Sequence, residues 1–384
     1  MHIVGARPNF MKVAPIMREM SRYPQNFNQL LLHTGQHYDE NMSKIFFENI
    51  KLPNPDIYLG VGSGTHAQQT ARIMLAFESI LFEHKPDWVI VVGDVNSTMA
   101  CALTATKLGI RVAHVEAGLR SFDSTMPEEI NRILTDHVAD LLFTTEPSAN
   151  ENLHKEGIPR DKIYFVGNVI IDTLVCLLPK VKNRTILLKL GLIKKRNKDD
   201  RMSKSQRHDE ISTQCPKFTR DYVLVTLHRP SNVDRPEKLR EILFALKDIS
   251  QKTPVIFPVH PRTRNKFKEA KMKIDGNKLF ILEPLGYLDF LSLMHYANLV
   301  ITDSGGIQEE TTYLGIPCLT VRPNTERPIT IEMGTNQLVA TERKALIDAS
   351  FAILRNNRLT TMPSRPAFWD GRAAQRIIKV LTSF

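Results

Sequence analysis

The run Thr302-Asp303-Ser304-Gly305-Gly306-Ile307-Gln308-Glu309-Glu310 follows the apolar Leu299-Val300-Ile301 and leads into a helix-like segment. A buried strand that ends in Ser-Gly-Gly and opens a helix presents unpaired backbone N–H groups at the positive end of the helix dipole. Such a turn suits a phosphate. Gly305 and Gly306 permit close approach, and the Ser304 hydroxyl can cap the helix or donate to a phosphate oxygen. Glu310, further along the helix, does not favour an anion and reads as an acceptor for ribose hydroxyls. These residues point to a nucleotide whose sugar and diphosphate are read by one turn. An ordinary capped strand-to-helix turn would use the same residue types.

Other motifs sit at comparable junctions. In Gly5-Ala6-Arg7-Pro8-Asn9-Phe10-Met11-Lys12, Arg7 and Lys12 straddle a helix start and can neutralise a diphosphate. Gly93-Asp94 and His114-Val115-Glu116 place a carboxylate at the carboxyl edge of neighbouring strands. Asp94 also suits a helix cap, whereas an acid ending a buried strand, as Glu116 does, needs a partner or a job. Met126-Pro127-Glu128-Glu129-Ile130-Asn131-Arg132 reads as a helix start in which Glu128 and Arg132 can pair. Asp94, Glu116 and Glu128 together could converge on a small substrate for proton transfer at carbon. His228, in Thr-Leu-His-Arg-Pro, and His260, in Val-His-Pro-Arg, end strands of the second half and face the cleft or serve structurally. Phe290 offers a ring wall for a base or ordinary core packing, and Arg327 adds a cation near the Ser-Gly-Gly turn.

Placing these residues requires a β-α-β-α rhythm. Strands are expected at 2–5, 29–33, 88–92, 111–115, 141–144 and 163–166, with helices at 11–23, 66–83, 97–108, 127–139 and 148–156. The rhythm breaks over 170–220. It resumes with strands at 222–226, 255–258, 278–282, 299–302 and 317–320 and helices at 236–250, 288–295 and 307–314. This predicts an α/β protein of two Rossmann-like, doubly wound parallel-sheet domains facing a cleft, where such folds bind ligands at the carboxyl ends of strands. The expected units are 1–168, with the carboxylates, and 169–364, with the nucleotide turn and a basic insertion at about 194–220. A closing helix within 365–384 would cross back to the first domain.

Bulk properties agree. A chain of 384 residues exceeds one ordinary core. No apolar run approaches the roughly 20 residues that span a bilayer, and the start carries no secretory signal. Four scattered cysteines without metal spacing favour a reducing cytoplasm. The strand before Gly5 is shorter than the usual five or six residues, which predicts residues preceding Met1. The net charge of +10 is concentrated in 194–220, where nine basic residues meet four acidic ones in a Ser-rich, weakly apolar tract that reads as a loop. No nucleic-acid module accompanies it, so nucleic acid is not an expected partner, and neither is a membrane. Gly60-Val61-Gly62-Ser63-Gly64 does not match the dinucleotide fingerprint, and no ATP loop or nucleophile elbow is present.

Taken in order, G-A-R-P-N-F-M-K, H-T-G-Q-H-Y-D, G-D-V-N-S-T, H-V-E-A-G-L-R, P-E-E-I-N-R, T-L-H-R-P, T-D-S-G-G-I-Q-E-E and T-E-R-P resemble the non-hydrolysing UDP-N-acetylglucosamine 2-epimerases. The match spans nearly the whole chain outside the basic tract. The resemblance implies a glycosyltransferase-B-like fold, interconversion of UDP-GlcNAc and UDP-ManNAc without NAD or metal, and a cytoplasmic homodimer. It implies that Asp94, Glu116 and Glu128 do the proton chemistry with His228 near the diphosphate. Arg7, Lys12, Phe290, Ser304, Gly305, Gly306, Glu310 and Arg327 would hold UDP. Gln36, His37, Arg229 and His260 would form a neighbouring site for activating UDP-GlcNAc. Two departures stand out: Leu285 replaces a polar residue near the uracil, and Pro328-Ile329 replaces Pro-Glu. Alternatives are a hydrolysing epimerase releasing ManNAc and UDP, a B-type glycosyltransferase, and last a nucleic-acid binder using the basic tract.

Overall fold

The computed structural model describes residues 1–35, 50, 52–181, 185–192, 222–259, 261–269, 278–355 and 365–384. The basic tract therefore lies outside the described residues. The chain builds two open sheets whose strand pairs are all parallel. The first comprises β1 (His2–Val4), β2 (Leu31–His33), β3 (Ile57–Tyr58), β4 (Trp88–Val92), β5 (Arg111–Ala117), β6 (Leu141–Thr144) and β7 (Ile163–Phe165), ordered β3-β2-β1-β4-β5-β6-β7. The second comprises β8 (Val223–Thr226), β9 (Val255–Pro258), β10 (Leu279–Leu282), β11 (Leu299–Thr302), β12 (Cys318–Val321) and β13 (Asn336–Val339), ordered β10-β9-β8-β11-β12-β13.

Both orders reverse direction at one point, between β1 and β4 and between β8 and β11. A doubly wound sheet opens its ligand crevice beyond the carboxyl ends of strands at such a reversal. The turns singled out from sequence lie there: Gly5 after β1, Gly93-Asp94 after β4, His228 after β8 and Ser304 after β11. Strands such as Trp-Val-Ile-Val-Val and Leu-Val-Ile-Thr are almost wholly apolar because helices cover both faces of the sheet.

One continuous core joins the sheets. Val4 and Val92 of the first lobe, Leu224 and Val300 of the second, and Val169, Ile171 and Leu174 between them belong to one buried cluster. Its centre is the Val169–Val181 helix, which packs on the Arg7–Met20, Tyr287–Tyr296 and Gly305–Leu314 helices. The sequence showed only a break in rhythm here. A helix covered on several sides needs no polar face, so its apolar residues carry no amphipathic period. Strands β3 and β13 and the Arg343–Arg355 helix are further elements that were not expected. The Ala373–Leu381 helix returns to the first lobe, lying against the Arg7–Met20 helix, with Asp172 accepting the N–H groups of Ala373 (3.0 Å) and Ala374 (2.7 Å) at its start. Among the described residues no helix is long and apolar enough to cross a membrane.

Candidate active site

Glu116 lies at the end of β5, where the pairing with β6 slips register, and its backbone is left-handed with φ 72°. A non-glycine residue held there is strained, and strain of that kind persists only where surrounding structure enforces it. The enforcement is visible. Asp136 accepts from the Gly118 N–H at 3.1 Å just past Glu116 and meets His114 at 2.6 Å two residues before it; His114 in turn contacts the Gly93 carbonyl at 2.8 Å.

The Glu116 side chain, 2% exposed, receives one cation from each lobe. Lys12 Nζ lies 2.7 Å from Oε1, and Arg327 Nη2 lies 3.0 Å from the same oxygen. Oε2 has no hydrogen-bond partner among the described residues. Two glycines make this meeting possible. A Cβ on Gly93 would sit 2.5 Å from Lys12 Nζ, and one on Gly305 would sit 2.5 Å from Arg327 Nη1. Arg327 also pairs with Glu309 (Nε–Oε1, 2.7 Å) and Glu326 (Nη1–Oε1, 2.6 Å).

Asp94 and Glu128 line an open cleft of about 1120 Å³ between the lobes, together with Arg229, Arg322 and Lys238. Asp94 does not cap the helix that follows; Val95 occupies that position without a side-chain bond. Instead it pairs with Arg132 at 3.2 Å. Burial pushes the Asp94 carboxyl up, but Arg132, then Lys12 and Arg327, hold it below the usual carboxylate range. The anticipated Glu128–Arg132 pair is absent, because Arg132 turns inward to Glu129 and Asp94 and leaves Glu128 on the cleft wall.

The second lobe places the remaining candidates around the β11 turn. Ser304 is the residue before the Gly305–Leu314 helix and makes no side-chain cap bond. A Cβ on Gly306 would approach only Ile170, at 3.9 Å, so its approach side is open to a ligand, whereas Gly305 is occupied by Arg327 and Glu326. Glu310 is buried and accepts from Tyr287 Oη at 2.5 Å. Phe290 is half-buried against the shared core. The exposed His228 ring lies 3.3 Å from Asp303 by Nδ1, and Arg229 donates to the Asp303 carbonyl at 3.0 Å. Arg7 begins its helix, but its side chain, like Gln36, His37 and His260, lies outside the described residues.

Sequence reasoning passed over Asp136, Glu309 and Glu326, and it paired Arg132 with Glu128 rather than with Glu129 and Asp94. Glu326 is the anion of an arginine cluster, meeting Arg327, Arg322 (2.8 Å) and Arg229 (3.6 Å), and these three hold its carboxyl far below the usual range despite burial. Doubled acids, in Pro-Glu-Glu and Gln-Glu-Glu, were the available signal. Helical periodicity turns one of each pair inward to an arginine.

The model of the family described as UDP-N-acetylglucosamine 2-epimerase matches residues 18–382. A Methanocaldococcus jannaschii protein named UDP-N-acetylglucosamine 2-epimerase is 44% identical over 99% of this chain and 98% of its own length. A Pseudomonas aeruginosa UDP-2,3-diacetamido-2,3-dideoxy-D-glucuronate 2-epimerase is 37% identical over 99% of this chain and 98% of its own. The crystal structure of the M. jannaschii UDP-GlcNAc 2-epimerase in complex with UDP-GlcNAc and UDP superposes with TM-score 0.86 at 41% identity, covering 100% of this chain and 99% of that one.

Proposed function

This chain belongs to the UDP-N-acetylglucosamine 2-epimerase family, and we propose that it inverts C2 by eliminating UDP to a 2-acetamidoglucal and adding it back. It is an isomerase that epimerises UDP-N-acetylglucosamine to UDP-N-acetylmannosamine. One observation supports the mechanism: Glu116 is held by Lys12 and Arg327, one cation from each lobe. The C2–H of the sugar has no carbonyl beside it, so direct deprotonation is prohibitive. Departure of UDP lets positive charge grow at C1 while C2 gives up its proton. A base beside the very cations that would draw on the diphosphate brings both events into one small volume.

In this reading Asp94, Glu116 and Glu128 divide removal and return of the proton on the two faces of the sugar. Lys12, Arg327 and Arg7 hold the diphosphate with His228 beside it. The Ser304 hydroxyl and the N–H groups at Gly305 and Gly306 take phosphate oxygens, the Ser304 N–H donating instead to the Thr302 hydroxyl at 3.0 Å, while Glu310 takes ribose hydroxyls and Phe290 flanks the base. Arg229 with Gln36, His37 and His260 would bind an activating UDP-GlcNAc. The units remain 1–168 and 169–364, with 365–384 returning to the first. A cytoplasmic setting goes with the nucleotide-sugar substrate.

The test is incubation with UDP-GlcNAc in heavy water, followed by NMR. Deuterium at C2 of both UDP-GlcNAc and UDP-ManNAc is expected, with no acceptor and no free sugar. Free ManNAc would indicate the hydrolysing reaction instead, and no exchange would exclude epimerisation.

A homodimer is supported by an inverted helix. Pro127–Val138 turns Glu129, Arg132 and Asp136 inward and leaves Ile130, Ile133 and Leu134 exposed. Leu75 (71%) and Phe82 (60%) are exposed on the His66–His84 helix, which like Pro127–Val138 packs on the Asn96–Lys107 helix, and exposed apolar side chains of this number suit a subunit contact. Sedimentation should give twice the chain mass for the native protein and the single mass for Ile133→Lys/Leu134→Lys. A native monomer would remove this part of the proposal.

A further inference from the structure

We propose that Glu309 is a positioning residue that aims Arg327 across the interlobe boundary. The inference rests on the reading that Arg327 grips the substrate's diphosphate. A guanidinium is a rigid planar fork, so a hydrogen bond on one edge and a carboxylate packed beside a second restrict where the third points. In this chain Glu326 accepts from Nη1 at 2.6 Å, the Glu309 carboxylate lies against the Nε edge as an ion-pair contact at 2.7 Å without an aligned hydrogen bond, and the remaining Nη2 is directed at Glu116 of the other lobe, 3.0 Å away. Glu326 is the neighbouring residue in the chain and turns with the arginine. Glu309 comes from the Gly305–Leu314 helix and is the partner on an independent, rigid element.

Glu309 is itself fixed from the other side. Its Oε1 accepts from Asn168 Nδ2 at 2.8 Å, and Asn168 is fully buried at the start of the Val169–Val181 helix that joins the lobes. Asn168 is anchored in turn, its Oδ1 accepting the Ile170 N–H at 2.9 Å. A buried relay therefore runs from the interlobe helix through Glu309 and Arg327 to Glu116 and Lys12. Oε2 of Glu309 has no hydrogen-bond partner among the described residues, so its polar interactions are concentrated on the one oxygen that serves this relay. A carboxylate placed only to neutralise Arg327 would not need a second tether to the connecting helix.

The experiment is a double-mutant cycle, read by UDP calorimetry and by UDP-GlcNAc kinetics, on Glu309→Gln, Arg327→Ala and the combination. Glu309→Gln should weaken UDP about tenfold and raise KM more than it lowers kcat, because the guanidinium stays present but is no longer held in line with the diphosphate. Added to Arg327→Ala it should cost less than about twofold, because its effect passes through the missing guanidinium. Additive losses would overturn the proposal, as would a Glu309→Gln enzyme within about twofold of wild type. Should Glu309→Gln fail to fold by thermal melt, Asn168→Ala leaves the charge and removes the tether. It should weaken UDP about threefold in the same cycle, and unchanged affinity would overturn the proposal. Wild-type turnover in the same assay separates failure of this inference from failure of the epimerase reading.

Discussion

Glu116 and Asp303 are both acids at the carboxyl ends of buried strands, one in each lobe, 2% and 0% exposed. Their partners differ in kind. Asp303 accepts the backbone N–H groups of His228 (3.1 Å) and Arg229 (3.0 Å) and the Asn232 amide (3.1 Å), all from the segment after β8. These donors are fixed by the fold. Glu116 meets the tips of two long cationic side chains from different lobes, on a left-handed backbone, with one oxygen lacking a hydrogen-bond partner among the described residues. A carboxylate answered by backbone donors clamps a loop. One answered by side-chain cations can exchange those partners when an anionic ligand arrives, so its geometry suits a changing charge.

The sharpest way to break this contrast is Glu116→Gln. The amide keeps the shape and removes the base, so turnover should fall about 10³-fold. UDP affinity by calorimetry should stay within about fivefold, because the cations remain. A drop in turnover below tenfold would transfer the base role to Asp94 or Glu128. Asp303→Asn should behave in the opposite way. It points an amide donor at existing donors and should cost about 3 kcal/mol of stability, read as a lower urea midpoint at unchanged slope. The folded fraction should retain kcat near wild type. If Asp303→Asn abolished turnover while leaving the midpoint in place, partner type would not distinguish the two acids.

What the sequence revealed follows the same division between local and distant causes. The turns at Gly93, Glu116 and Ser304 were legible because strand, turn and helix start are contiguous in the chain. The Arg327–Glu116 pair joins residues 211 positions apart and has no local signature. The inward turn of Arg132 was hidden because Glu128 and Glu129 are equally good neighbours on paper. The Arg343–Arg355 helix carries Ile347, Phe351 and Leu354 at i, i+4 and i+7, a helical stripe that the sequence reading did not take up, and β13 (Asn-Gln-Leu-Val) starts with two polar residues. Fold class was readable because it depends on the order of elements, whereas the wiring of the charges depends on which faces meet.

Glu146 supplies a third condition for a buried acid and the smallest effect. It lies just past β6, fully buried, with one oxygen bound by the Ser148 hydroxyl at 2.7 Å and the other without a hydrogen-bond partner among the described residues. Burial raises its carboxyl to about 7, the nearby Glu309 adding to the shift and Ser148, Arg327 and the Ile329 N–H offsetting only part of it. The folded protein therefore keeps a proton that the unfolded chain has released above about pH 4.5. Stability from this group is fully present below the unfolded value and declines as pH rises to about 7. Glu146→Gln cannot release that proton. The difference in unfolding free energy, wild type minus variant, should fall by on the order of 3 kcal/mol between pH 4.5 and 7.5. A difference that stays flat across that window would mean the carboxylate finds a cation or donor after all, placing Glu146 with one of the other two acids.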